Sequence, residues 1–490
     1  MSKEQAETGN LQALLFEIGA GLDQYLKFEH KDAMQTVNDW REKLDIPLPS
    51  QGIGVEKVSH ELINHVIPNG SAVPNPGFTS YITTGATSVS VLASTAANVA
   101  SPQRYHGTAF NFLEELSLQW LAEMLGVGTL QGVYSSGGSV ANLIALGAAR
   151  QSSFEKIGHD PAAHGLDRPA CIYASEECHH TIQRAAGVLG IGRQAVRNMA
   201  CDSSGRMRVD ALQKAIAEDK DKGILPMAIV ANAGTTNTGA IDPLQLIGEV
   251  ARENEIWYHI DGAYGLPGVL DERISHLYEG LELADSVIVD PHKWLGAAVG
   301  IAATFVHDRD LLERAFTQEP ADYLEGSLGS DADSARNVEH SLDDFGVPYF
   351  DYGVELSAPC RGVVVWAMIR EIGVEGMRQR VKSHNDIARF IADFANDHQN
   401  LELIGEPTLS ICCFRYVADE IEDLDGFNEM LHRHLVRGNK YMPSTTRVNG
   451  KFVLRPCYIG ARHHQSQAQG LLTEVLRIGY KLLAEDKFTS

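Results

Sequence analysis

Four short segments gather side chains able to do chemistry. DPHKWLG (290–296) puts Lys293 just past the apolar run SVIVD, where burial or neighbouring cations would lower an amine's pKa and make it nucleophilic. HIDGAYG (259–265) ends a second apolar run on Asp261, with Gly262, Ala263 and Gly265 expected to leave open space beside the carboxylate. YSSGGSVANLIAL (134–146) sets Gly137, Gly138 and Ser139 before a helical run that begins near Val140. Free amides at a helix N-terminus, glycines that permit close approach and a serine hydroxyl together suit an anion such as a phosphate ester. SEECHHTIQRAAG (175–187) carries His179 and His180 beyond the run CIYAS, where an imidazole can stack on an aromatic ring and carry a proton.

Each segment also has a plain structural reading. A lysine in a strand-to-helix turn is usually a solvated surface group, and an aspartate at a strand end commonly caps the turn that follows. The glycine loop has no GK[ST] and is not GxGxxG, so alone it is equally a tight turn. Adjacent histidines without a third ligand chelate poorly, and no metal site is expected. Asp261 is the most demanding of these residues, because a carboxylate closing a buried strand needs a cation. A pyridinium nitrogen at about 4 Å, with an effective dielectric near 20, would supply roughly 4 kcal/mol, or about three pKa units. That holds such a ring protonated and electron-withdrawing.

The elements that must position these groups follow from periodicity. From 130 to 306, short β-branched runs (VYSSGG, CIYAS, AIVANAG, WYHIDGAYG, SVIVDPH, IAATFV) alternate with helical stretches, which predicts a mostly parallel sheet covered by helices on both faces. Ligands in that architecture gather at the C-terminal strand ends, where all four segments fall. Leu11, Leu14, Leu15, Ile18, Leu22, Tyr25 and Leu26 recur at helical spacing, so the first forty residues read as an amphipathic helix with one apolar face. Proline and glycine in 46–54 and 67–77 mark linkers. Beyond 370 come an amphipathic helix, the strand LSICCFRY, a helix near 423–438, the strand KFVLR and a last helix, a small α+β unit.

The 490 residues can bury a large core, with 44% apolar and 21% charged residues. The formal charge of −23 would repel nucleic acid and anionic membrane surfaces, so neither is expected as a partner. Seven cysteines, an odd number with no CxxC pair, indicate reduced thiols and a cytoplasmic protein. The N-terminus lacks the plan of a signal peptide, and the longest apolar stretch, 295–306, is too short to span a bilayer.

In this order and at these separations the four segments resemble the group II pyridoxal-phosphate decarboxylases, the family of aromatic amino acid, histidine and glutamate decarboxylases. The likeness runs from residue 70 to 460, and the pairing of HIDGAYG with DPHKW is its specific part. It implies an α/β protein of fold type I, aspartate aminotransferase-like. An N-terminal helical dimerisation segment (1–75) would precede a large cofactor domain (76–370) with a mostly parallel seven-stranded sheet, and a small C-terminal α+β domain (371–490) would follow. The implied cofactor is pyridoxal 5'-phosphate (PLP). By position, Lys293 resembles the lysine bonded covalently to it, with His292 among its contacts, and Asp261 the partner of the pyridine nitrogen. Ala263 matches the small side chain beneath the ring, and His179, four residues after Ser175, the stacking histidine. Gly138 and Ser139 match the phosphate loop, Thr235 or Thr236 a threonine near the ring hydroxyl, and Thr84 the substrate pocket.

The resemblance has departures. Animal aromatic decarboxylases resemble NPHKW where Asp290 stands here; facing a phosphate it would be repulsive, so Asp290 is expected to turn away. The family's mobile-loop tyrosine, which returns a proton to Cα, falls between 320 and 352, with Tyr349 the first choice before Tyr323 and Tyr352.

The implied reaction converts an L-amino acid to its amine and CO2 at a homodimer interface, to which the N-terminal helix would contribute by exchange. Phe78, Tyr81, Phe110 and Phe112 would build an apolar pocket, although aromatic residues are more often core. Arg361 and Arg455 would instead pair with an acidic substrate, although salt bridges are the commoner use of arginine. An aromatic or other apolar substrate is favoured over an acidic one. Retro-aldol lysis, transamination and oxygen-dependent amine oxidation to an aldehyde use the same lysine, aspartate and phosphate loop, so these residues do not separate them. A binding protein without turnover would be marked by loss of Lys293 or Asp261, and both are present.

Overall fold

A computed structural model describes residues 10–28, 40–104, 108–317 and 347–485. After the short strand β1 (Phe78–Thr79), seven strands form one sheet: β2 (Gln131–Ser135), β3 (Ala170–Ser175), β4 (Val196–Met199), β5 (Leu225–Asn232), β6 (Trp257–Asp261), β7 (Ser286–Val289) and β8 (Ala302–Val306). Their order is β2-β8-β7-β6-β5-β3-β4. β3 to β7 pair in parallel, and β8 runs antiparallel to both β2 and β7. Every residue of β3, β6, β7 and β8 is buried, because helices cover both faces of the sheet and close it to water; this is the physical basis of the apolar runs in the sequence.

Helix α1 (Leu11–Tyr25) buries none of its residues, and its Phe16 is 79% exposed. Helix α2 (Gly138–Glu155) leaves β2 through the glycine loop and lies on the sheet, with Ala141 and Ala145 packed against Ala263, Ile288 and Ala302. Helix α3 (Thr181–Val188) follows β3. The long helix α4 (Gly362–Asp397) runs from the large unit into a second core and is broken at Gly373, whose φ is 65°.

That second core packs α4 and two later helices against a five-stranded sheet of order β1-β11-β12-β10-β9. Its strands are β1, β9 (Leu401–Leu403), β10 (Phe414–Tyr416), β11 (Met442–Val448) and β12 (Lys451–Arg455). β1 pairs in parallel with β11, so residues 78–79 belong to the small sheet. The two units meet at Trp294. Its ring stacks on Tyr264 with centroids 5.3 Å apart, and its indole N–H donates to His384 Nδ1 on α4 at 2.9 Å. Among the described residues no helix is long and apolar enough to cross a membrane.

Candidate active site

The C-terminal ends of β3, β5, β6 and β7 face one cavity of about 350 Å³. Its walls include Gly137, Gly138, Ser139, Asn142, His179, Asn232, Thr236, Asp261, Ala263, His292 and Lys293, so the four segments singled out in the sequence do converge. A roomier cleft of about 460 Å³ lies between the two units, lined by Glu177, Asp202, Arg206 and Glu406, but it lacks Lys293 and Asp261.

Lys293 sits in the five-residue turn Pro291–Leu295 that follows β7. The fully buried Trp294 anchors the turn, and at Lys293 the backbone leaves helical geometry (φ −94°, ψ −107°). Its Nζ lies 2.9 Å from Asp290 Oδ2. The immediate charged neighbour is therefore an anion, where burial or neighbouring cations were expected. Among the described residues lining the cavity, Lys293 is the one lysine or arginine.

Asp290 does not turn away. It is 2% exposed, one oxygen meets Lys293, and the other has no hydrogen-bond partner. The carboxylate lies against the glycine loop: a Cβ on Gly138 would come within 2.8 Å of Asp290 Oδ2. The cation three residues along draws the carboxylate inward. His292 Nδ1–H donates to Ile301 O at 2.6 Å, leaving its Nε2 3.9 Å from Asp290.

Asp261 ends β6 with its side chain held on two sides. Oδ1 accepts the Ala263 N–H at 3.1 Å and Oδ2 accepts Asn142 Nδ2–H at 3.0 Å. Gly262 and Gly265 leave no open space beside it. A Cβ at Gly262 would meet Ile288 O at 2.8 Å, and one at Gly265 would strike Ala233 O, so these glycines serve backbone packing; Ala263 faces the cavity. Gly137 has φ 148° and opens the way to the free amides at the start of α2. His179, half-buried beyond β3, has its pKa lowered by burial and bonds Thr181 Oγ1 through Nδ1 at 2.9 Å.

The threonine pair divides. Thr236 reaches the cavity, whereas Thr235 accepts Ala240 N–H at 3.1 Å inside its own turn. Thr84 is buried outside the cavity lining, against Gly460. Tyr349 is not brought to the site. It is 1% exposed, donates to Glu115 and lies under Arg309, whose guanidinium carbon is 5.6 Å from the ring centroid; burial pushes its phenol far above the ordinary range. Tyr352 flanks the same arginine, and Tyr323 lies outside the described residues. Phe78, Tyr81, Phe110 and Phe112 are absent from the cavity lining, with Tyr81 and Phe112 exposed. Asn142, Asn232, Thr181 and Tyr264, which line it, were not singled out from the sequence. Asn232 is held by Ser175 Oγ at 3.1 Å and by Asp242, a carboxyl that burial raises to about 6.

Residues 38–417 match the family model described as the pyridoxal-dependent decarboxylase conserved domain. The chain belongs to the pyridoxal-dependent decarboxylase family. An aromatic-L-amino-acid decarboxylase of Bacillus atrophaeus is 31% identical over 95% of this chain and 93% of its own length. An acidic amino acid decarboxylase of Xenopus tropicalis is 27% identical over 93% of this chain and 90% of its own. A solved structure of Oryza sativa TDC with PLP and tryptamine shares the fold, with a TM-score of 0.84 at 22% identity over 98% of this chain and 99% of that one.

The chain is thus a PLP-dependent amino-acid decarboxylase, and the cavity fits that cofactor: an amine, a buried carboxylate and a glycine-lined helix start face one space. When bound, PLP supplies the electron sink for the pair released as CO2 departs. Asp290 is the discordant group, since a phosphate at the Gly138 loop would meet a carboxylate. Asp290→Asn is expected to tighten PLP binding on the order of tenfold by removing a like charge. Equilibrium dialysis checks this, and unchanged or weaker binding would show that Asp290 does not oppose the phosphate.

Proposed function

We propose that this decarboxylase acts on an aromatic or other apolar L-amino acid, releasing CO2 and the corresponding amine. The supporting observation is the fate of the two arginines that would recognise an acidic substrate. Arg361 is paired with Glu355 at 2.8 Å and donates to Gly300 O. Arg455 donates to the carbonyls of Asn237, Tyr81 and Thr236. Neither guanidinium is left for a second carboxylate. In the proposed site Lys293 bonds the cofactor, Asp261 holds the ring nitrogen, His179 stacks on the ring, and Gly138 and Ser139 take the phosphate. Positioning of the carboxylate to be lost, and exclusion of water around it, then fall to the cavity walls.

The test is incubation of the PLP-loaded protein with each of the twenty amino acids, recording CO2 and amine. Equal yields from tryptophan, tyrosine, phenylalanine or an aliphatic residue support the reading. Turnover confined to aspartate or glutamate overturns the substrate class, and aldehyde with ammonia and peroxide overturns the simple decarboxylation. The proposal includes a homodimer, because Phe16, Leu92, Val99 and Phe112 are apolar and exposed in the single chain. Light scattering is expected to give twice 53.5 kDa. A cytoplasmic site is proposed from the cysteines, all seven of which are free.

A further inference from the structure

Behind Asp261 runs a line of buried polar side chains. Trp257, His259 and Asp261 alternate along β6 and so share one of its faces, and the sheet register places Ser286 of β7 opposite His259. Trp257 Nε1 lies 2.9 Å from Ser286 Oγ, Ser286 Oγ 2.9 Å from His259 Nδ1, and His259 Nε2 2.8 Å from Asn142 Oδ1. Asn142 Nδ2 then lies 3.0 Å from Asp261 Oδ2 and 3.3 Å from Thr181 Oγ1. All of these residues are buried.

We propose that Asn142 is a positioning residue for both Asp261 and His179, oriented by a one-way hydrogen-bond chain that begins at Trp257. The two ends fix its direction. An indole N–H only donates, so Ser286 Oγ accepts from Trp257 and has its own proton free for His259 Nδ1. An ionised carboxylate only accepts, so Asn142 must show Asp261 its amide and His259 its carbonyl. Both conditions put the ring proton of neutral His259 on Nε2. Burial lowers His259 to about 4, so the ring stays neutral at pH 7.

The second proton of the Asn142 amide completes a fork. Thr181 Oγ1 accepts it and turns its hydroxyl proton toward His179 Nδ1 at 2.9 Å, where the Thr181 N–H also points at 3.4 Å. His179 therefore carries its proton on Nε2. One buried amide sets the acceptor state of the carboxylate and the tautomer of the histidine. A broken link leaves buried donors unmatched and frees Asn142 to present its oxygen to Asp261, which would repel it.

The inference rests on the assignment of Asp261 to the ring nitrogen, and the experiment separates the two. Holoenzyme variants Asn142→Leu, Ser286→Ala, His259→Leu, His259→Gln and Asp261→Ala are compared for PLP dissociation constant, thermal midpoint, and the pH midpoint of the visible absorbance of bound PLP. Asn142→Leu and Ser286→Ala are expected to weaken PLP roughly tenfold and to shift the absorbance midpoint, although Ser286 touches neither Asp261 nor His179. His259→Gln, which keeps a donor toward Asn142, is expected to recover most of what His259→Leu loses.

An Asp261→Ala protein with unchanged PLP affinity and absorbance would overturn the ring-nitrogen assignment and the chain with it. If Asp261→Ala shifts both readouts while Asn142→Leu and Ser286→Ala lower only the thermal midpoint, the chain is structural and the proposal fails. Failure of His259→Gln to differ from His259→Leu would likewise overturn the one-way direction.

Discussion

Lys293→Ala is expected to lower CO2 release by at least about a thousandfold while the protein still folds and still takes up PLP. The size follows from what the cavity holds. Among the described lining residues there is no second lysine or arginine to substitute for the Nζ that lies 2.9 Å from Asp290. In the proposed site the glycine loop, Asp261 and His179 would still hold the cofactor without its covalent bond. Borohydride reduction followed by mass spectrometry should find a PLP adduct on Lys293 in the native protein and none in the variant. Undiminished turnover in the variant would refute the assignment of Lys293. The substitution also leaves both Asp290 oxygens without a cation in a buried place, at a cost of about 1–3 kcal/mol. Adding Asp290→Asn to Lys293→Ala should therefore recover thermal stability without recovering activity, a combination that separates the lysine's chemistry from its packing.

The large sheet was legible because a parallel sheet buried on both faces writes largely apolar runs, as β5 and β7 do. Lys293, Asp261, His179 and the Gly138 loop were legible because each lies at a strand end, where chain topology alone brings them together. At Gly262 and Gly265 the sequence is ambiguous, since a glycine admits either a ligand or another backbone, and here β7 and the end of β5 take the space. A phosphate alone would turn Asp290 outward, whereas its nearest partner is Lys293, three residues away. The sequence ranks Tyr349 before Tyr323 and Tyr352 but offers no register that fixes the choice. What removes Tyr349 from the cavity is the Glu115–Arg309 pair, two residues distant in sequence that close only in three dimensions. The chain behind Asp261 did leave a trace: Trp257, His259 and Asp261, each with a hydrogen-bonding group, stand at alternate positions of β6 on a face that has no access to water.

Asp261→Asn is expected to lower CO2 release on the order of a thousandfold, because roughly 4 kcal/mol of attraction between a carboxylate and a protonated ring nitrogen is worth about three powers of ten. The carboxamide is nearly the same shape, so its Oδ1 can still take the Ala263 N–H that holds the native side chain at 3.1 Å. What changes is charge. The neutral amide cannot hold a proton on the ring, and its own N–H2 would face the amide of Asn142, which now donates at 3.0 Å. That clash of donors has one remedy, rotation of Asn142, and rotation would set its oxygen against Thr181 and its amide against His259 Nε2–H. The loss at Asp261 should therefore spread to His179, seen as a changed pH dependence of the visible absorbance as well as a lower rate. A rate that falls with no spectral change would place the role of Asp261 in substrate binding. A spectrum that changes with Asp261→Asn and again, more weakly, with Ser286→Ala would tie the carboxylate to the wall of buried donors behind it.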